Sequence, residues 1–311
     1  MAKEAQHGVN TSSRMDPGVK YALMLMPLSV MLLSILRCGQ FLSNHGFTVN
    51  SVVERIISVT PSLVSQRHLD TDVYSCDQNY TIEILSIDPL VLYINNFLRD
   101  EEIEHLIALG EPRFGISKVF AGSEGFKESL NRTIRSSETA FLPKDDLVCQ
   151  CMMQRMRSLL GNVQHLEVES PQIVKYASGG DHYNTHTDWF DVPKYDTANP
   201  NSDDKTFKPS NRLGSIFAYL SDDCEHGETY FPHLPSVQES ADGRKFALAE
   251  GDTGLLVRPR RGNAVFWNNL HPNGTGDERT AHASVPIESG TKIGLNIWSR
   301  YFLGETMVGG N

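Results

Sequence analysis

The distribution of apolar and polar positions divides the chain into regions of different texture. About twenty polar residues of mixed charge come first, followed by an uncharged run, Tyr21 to Leu36 (YALMLMPLSVMLLSIL), bracketed by Lys20 and Arg37. As a helix this run rises about 24 Å, slightly short of a ~30 Å hydrocarbon core, and its flanks can extend it. Pro27 is tolerated in a membrane helix. Three readings remain: a signal anchor, a buried core helix and a cleaved signal peptide. A helix apolar all round is unusual in a soluble domain, and Arg37-Cys38-Gly39 is a poor small-x-small cleavage site. The expectation is a transmembrane signal anchor over 21–37, with a cytosolic tail over 1–20 and everything after it lumenal. That describes a single-pass type II protein of the endoplasmic reticulum membrane. Residues 38–85 mix polar and β-branched residues without a period and read as a stem, with helical character at Val52–Ile57.

A folded domain is expected over 86–305. It opens with the apolar Ile87–Leu98 and continues into LRDEEIEHLIALG, where Asp100 can cap a helix that turns Ile103, Leu106 and Ile107 to one face and stops at Gly110. A second helix is predicted where Leu147, Met152, Met156, Leu159 and Leu160 fall at helical spacing before Gly161. From Gln164 short apolar runs alternate with Gly, Pro, Asn and Asp: PQIVKYASG, RLGSIFAYLSD, GETYFP, TGLLVRP, GNAVFWNNL, TAHASVPI and TKIGLNIWSRYF all read as strands. Helices followed by many short strands predict an α+β fold, with flanking helices outside a double-stranded β-helix (jelly roll) core. The polar stretch after Trp189, up to about Asn211, lacks periodicity and reads as a loop or a lid over a site.

Charge and cysteines narrow the picture. A formal net charge of −10 argues against a nucleic-acid partner. Three sequons, at Asn79, Asn131 and Asn273, suit a lumenal glycoprotein. Five cysteines leave at least one free or paired between chains, and Cys149-Gln150-Cys151 reads as two positions of one helix, without a metal role.

The candidate chemistry lies in YASGGDHYNTHTDWF, Tyr176 to Phe190. On a strand, His186 and Asp188 point to one face and can offer an imidazole and a carboxylate to one point. His282, on a strand near the end of the chain, is the best third ligand for a facial set of two histidines and a carboxylate on iron(II). Lys292 follows ten positions later, past a Pro286…Gly290 turn, as if on a neighbouring strand running back beside the first. An inward lysine is costly unless paired, and a dicarboxylate co-substrate would pair it. By spacing alone, solvated turns and a solvent-facing lysine remain open.

Four ordered blocks extend the pattern. Tyr176, Gly179, Gly180, Tyr183, His186 and Asp188 form the first; YLSDDCEHGETYFP from Tyr219 and PRRGNAVFW from Pro259 follow; Gly276, Asp277, Thr280, His282, Pro286, Ile287, Gly290 and Lys292 form the last. With these blocks, residues 86–302 resemble the prolyl 4-hydroxylases and their relatives among iron(II)/2-oxoglutarate dioxygenases. The resemblance implies iron held by His186, Asp188 and His282, and 2-oxoglutarate held by Lys292, Tyr176 and Ser215, the last standing where the family usually has threonine. It implies Tyr183 on the substrate side and Arg135 and Ser137, in IRSSETAFL, shaping a substrate groove. Trp298 would lie near the cofactor strand or simply pack in the core. O2 and L-ascorbate complete the implied cofactors. The implied reaction is hydroxylation of an unactivated C–H bond, foremost 4-hydroxylation of proline in a peptide. A tailoring dioxygenase acting on a small metabolite would use the same chemistry. A non-catalytic jelly-roll binding protein would lose a ligand or the lysine, and a zinc hydrolase would not need Lys292. The chain departs from the family pattern at Thr185, where a proline is usual, at His226-Gly227, where two glycines are usual, and by one extra residue between Tyr176 and His186.

Overall fold

A computed structural model describes residues 74–121, 127–161, 163–164, 167–197, 207–249 and 253–304. All belong to one compact unit, Gln66–Asn311. The expected anchor at 21–37 and the Val52–Ile57 segment lie outside the described residues. Among the described residues no helix is long and apolar enough to cross a membrane.

Two antiparallel sheets face each other. The larger runs, in spatial order, through strands Thr81–Ile87, Leu90–Asn95, Ala264–Asn268, Phe207–His226, Ile287–Phe302, Gln172–Ala177, Glu138–Phe141 and Gly115–Ile116. The smaller runs Phe246–Ala247, Thr253–Val257, Thr229–Pro235, His282–Ser284 and Tyr183–His186. The long central strands are apolar on both faces because both are covered. Along Ile216–Leu220, Ile216, Ala218 and Leu220 pack under the helices, while Phe217 and Tyr219 point between the sheets. Each predicted strand is present, and the double-sheet core with outer helices follows the α+β expectation.

The helices cover the outer face of the larger sheet. Leu147–Leu160 is capped by Asp146, whose side chain accepts from the Cys149 N–H, and it ends at Gly161 with positive φ. The first helix, Asp100–Gly110, is capped by Arg99 instead of Asp100. Its acid-rich first turn is not all solvated, since Glu102 is fully buried. Arg155 meets Glu102 with two hydrogen bonds, of 2.9 and 2.6 Å, and Tyr74 Oη and the Arg99 N–H add bonds of 2.7 and 2.9 Å. Burial opposes the charge, but these partners hold the Glu102 carboxyl below its usual pKa.

This network revises the expected stem. Tyr74 joins Glu102, Cys76 is disulfide-bonded to Cys151 of the second helix, and strand Thr81–Ile87 forms the sheet edge. The fold therefore begins before residue 86. The second member of the Cys149/Cys151 pair serves the disulfide, and Cys149 is a buried free thiol. The polar stretch after Trp189 starts and ends as a ladder between Lys194–Thr197 and the start of Phe207–His226; residues 198–206 lie outside the described residues.

Removing one partner of a buried ion pair strands the other charge. Arg155→Leu is therefore expected to cost about 3–5 kcal/mol. Urea unfolding followed by circular dichroism checks this.

Candidate active site

Two short strands of the smaller sheet build the site. Tyr183–His186 pairs with His282–Ser284 in a register that sets His186 opposite His282, with ring centroids 4.4 Å apart. The strand stops at His186, so Asp188 lies just past its end and not on it, yet its side chain turns to the same point. One potential ligand atom from each of His186, Asp188 and His282 lies within 4.8 Å of the others.

Hydrogen bonds settle which atoms face that point. His186 Nδ1 lies 2.8 Å from the Asn184 carbonyl oxygen, and His282 Nδ1 lies 3.0 Å from that of Thr280. A carbonyl can only accept, so each Nδ1 carries a proton and each Nε2 is the atom turned toward Asp188 and the shared point. Burial, reinforced by His282, brings the His186 pKa down to about 3, so the ring is neutral at physiological pH. Asp188 remains ionised: burial opposes this, but the neighbouring His282, the Arg212 guanidinium and the Ser215 hydroxyl together hold its carboxyl below the usual range. Its Oδ2 accepts from Ser215 Oγ at 2.6 Å and from Trp298 Nε1 at 2.9 Å, and Oδ1 is left for a ligand. Two imidazole nitrogens and one oriented carboxylate, on one side of an open cavity, fit iron(II) with free coordination positions.

Two expectations change here. Ser215, expected on the co-substrate, instead donates to Asp188 and accepts from Asn269 Nδ2 at 2.9 Å. Trp298 is not merely a packed ring, since its N–H is the second donor to Asp188. The sequence signals neither bond, because each joins residues distant in the chain.

Lys292 also sits differently. Its strand, Ile287–Phe302, pairs with Phe207–His226 and Gln172–Ala177 in the larger sheet, not with the His282 strand. The link after Ser284 carries the chain from one sheet to the other, so Lys292 reaches across the core. It is fully buried, and Nζ donates to Gly227 O and Ser284 Oγ, each at 2.6 Å. Gly227 allows this approach: its φ is positive, and a Cβ there would come within 2.2 Å of Ile287. Among the described residues no carboxylate lies within ion-pair distance of Nζ, and burial pulls the lysine pKa down to about 7.

Tyr176 is the cross-strand partner of Lys292, with Nζ 4.5 Å from its ring centroid, and its hydroxyl faces Ser284 and Ser137. Between Tyr176 and His186 the chain turns at Gly179 and Gly180, which take positive φ. Tyr183 stacks on His186 with centroids 3.5 Å apart, and the Arg135 guanidinium lies 4.5 Å from the Tyr183 ring centroid. Arg135 Nε donates to Ser137 Oγ at 3.0 Å. The sequence reading missed Arg212, which binds Glu169 through two 2.9 Å bonds and lies 3.7 Å from the Trp298 ring centroid, bracing the Asp188 side of the site. The triad, Lys292, Tyr176, Tyr183 and Arg135 all line one cavity of about 620 Å3.

Comparison with known proteins defines the class first. The profile of the 2OG-Fe(II) oxygenase superfamily matches residues 171–300. The chain is 30% identical over 217 residues to probable prolyl 4-hydroxylase 6 of Arabidopsis thaliana, covering 69% of this chain and 70% of that protein. It is 31% identical over 218 residues to prolyl 4-hydroxylase subunit alpha-2 of Caenorhabditis elegans, covering 70% of this chain but only 35% of the relative. Among solved structures, the 2OG complex of a viral collagen prolyl hydroxylase from Paramecium bursaria Chlorella virus-1 is 24% identical, covers 68% of this chain and 95% of that one, and has a TM-score of 0.46. The chain belongs to the prolyl 4-hydroxylase family of 2OG-Fe(II) oxygenases.

Because Ser215 orients a ligand, Ser215→Ala is expected to weaken iron(II) affinity about 10–100-fold. Anaerobic equilibrium dialysis measures this directly, and an unchanged affinity would mean that Asp188 does not depend on the serine.

Proposed function

We propose that this chain is an iron(II)- and 2-oxoglutarate-dependent dioxygenase that 4-hydroxylates proline in peptides. The observation that carries the reading is Lys292, a buried cation without a protein carboxylate, facing the same cavity as the histidine–aspartate triad. An ammonium has three donors, and Lys292 has two protein acceptors. The third donor fits the distal carboxylate of 2-oxoglutarate, with Tyr176 beside it. A non-catalytic jelly roll or a hydrolase has no use for that cation. The names of the relatives support peptidyl proline as the substrate.

Held by His186, Asp188 and His282, iron(II) would supply O2 activation at the expense of 2-oxoglutarate, which would leave as succinate and CO2 while a substrate C–H bond gains a hydroxyl. The protein's part is positioning. His186 and His282 present their Nε2 atoms, Asp188 is locked by Ser215 and Trp298, and the two sheets exclude water from Lys292. Arg135 and Tyr183, stacked beside His186, hold the substrate side. L-ascorbate would keep the iron ferrous.

We also infer an endoplasmic reticulum location, with a lumenal catalytic domain behind a 21–37 anchor. The Cys76–Cys151 disulfide supports an oxidising compartment. In the Asn131 and Asn273 sequons, which lie in turns, the asparagine oxygen accepts from the threonine two residues on, and both threonines are exposed. These features suit glycosylation.

Two outcomes test the function. Succinate release should be stimulated by a proline-rich peptide, the peptide should gain the mass of one oxygen, and His186→Ala should abolish both. Turnover that no peptide stimulates would move the substrate to a small metabolite. The second test is pH. A lysine with a depressed pKa is neutral above about 7 and must take up a proton to bind a carboxylate. Affinity for 2-oxoglutarate should therefore fall about tenfold per pH unit above that point. Calorimetry in buffers of different ionisation enthalpy should show proton uptake on binding.

A further inference from the structure

The cavity continues past the triad to the free edge of the larger sheet. Gly115–Ile116 is the last strand there, with no neighbour on its outer side among the described residues. Three large apolar side chains are exposed around this mouth, and all line the same cavity: Ile116 at 45%, Phe141 at 59% and Val192 at 51% exposure. Scattered apolar residues on a surface mean little, but several lining one cavity mouth mark a binding surface.

A polar floor joins this rim to the site. Cross-strand neighbours run Phe141, Gln172, Asn296, Phe217 across the larger sheet. Asn296 Nδ2 donates to Gln172 Oε1 at 3.3 Å. That leaves the Gln172 amide N–H2 and the Asn296 carbonyl oxygen without a partner among the described residues. Gln172 is only 7% exposed, and both residues line the cavity. Open to the cavity and without a protein partner, this adjacent donor and acceptor match the acceptor and donor of a peptide backbone.

We propose that this mouth is a docking subsite for a bulky aliphatic or aromatic side chain next to the target proline, on a peptide that lies extended along the Gly115–Ile116 edge. The inference rests on the peptide-hydroxylase reading and goes beyond it, since it makes the flanking residue a determinant of substrate choice. Three features select this occupant. The subsite is continuous with the reacting centre, a free strand edge pairs with extended backbone, and the unmatched amides take backbone groups while the rim takes a side chain.

The test uses the full chain loaded with iron(II) and N-oxalylglycine, a 2-oxoglutarate analogue that is not decarboxylated, kept anaerobic. Fluorescence anisotropy compares two labelled peptides that differ only in leucine or serine beside the proline. The leucine peptide should bind about tenfold more tightly, the effect of burying one such side chain. Phe141→Ser should remove that preference in protein whose iron affinity is unchanged. Ile116→Ser provides a second variant. Equal affinity for the two peptides in the unsubstituted protein overturns the proposal, as does a preference that survives both substitutions. A leucine preference that disappears in Phe141→Ser, with no oxygen added to the peptide once 2-oxoglutarate and air replace the analogue, upholds the docking subsite and removes the prolyl reaction.

Discussion

The register between Tyr183–His186 and His282–Ser284 is the constraint on which the site depends. Side chains alternate along a strand, so a slip by one residue would turn His186 or His282 away from the other. The pairing holds both rings in place, and the Asn184 and Thr280 carbonyls fix their tautomers. Asp188 cannot rely on strand geometry, because the strand has ended. The larger sheet therefore holds it, through Ser215 and Trp298 on adjacent strands. The metal site is thus built between two sheets, and the facing of those sheets brings its parts together.

Two buried charges show how structure and function divide. Glu102 is satisfied within the protein by Arg155, Tyr74 and the Arg99 N–H, and it ties both helices to the segment that holds Cys76. Lys292 is equally buried but has only neutral partners. The first arrangement closes a network; the second leaves a charge for a ligand to complete. Burial alone does not separate these roles, and the availability of a counter-charge does.

Local pattern made much of this legible. The alternation and turn residues after Gln164 marked seven strands, and the ordered His, Asp and Lys positions identified the candidate site, although the strand that carries His186 ends before Asp188. Long-range pairing is where sequence reading stopped. Lys292 was expected beside the His282 strand, but nothing local in Pro286…Gly290 says that the chain changes sheets there. Ser215 was assigned to the co-substrate because the family pattern speaks of residue types, whereas its actual partner, Asp188, is set by packing. Arg212 and Glu169 were missed for the same reason: an arginine and a glutamate 43 residues apart carry no mark of their pairing. The expected stem ran too far because the contacts of Tyr74 and Cys76 also lie far along the chain.

The most direct test of the central claim is the visible absorption spectrum of the iron-loaded protein as 2-oxoglutarate is added without oxygen. Chelation of iron(II) by a 2-keto acid produces a charge-transfer band. The account predicts a band that saturates with one equivalent of 2-oxoglutarate, needs far more of it in Lys292→Ala, and is absent in His186→Ala. No band in the unsubstituted protein, or one indifferent to the loss of Lys292, would contradict it.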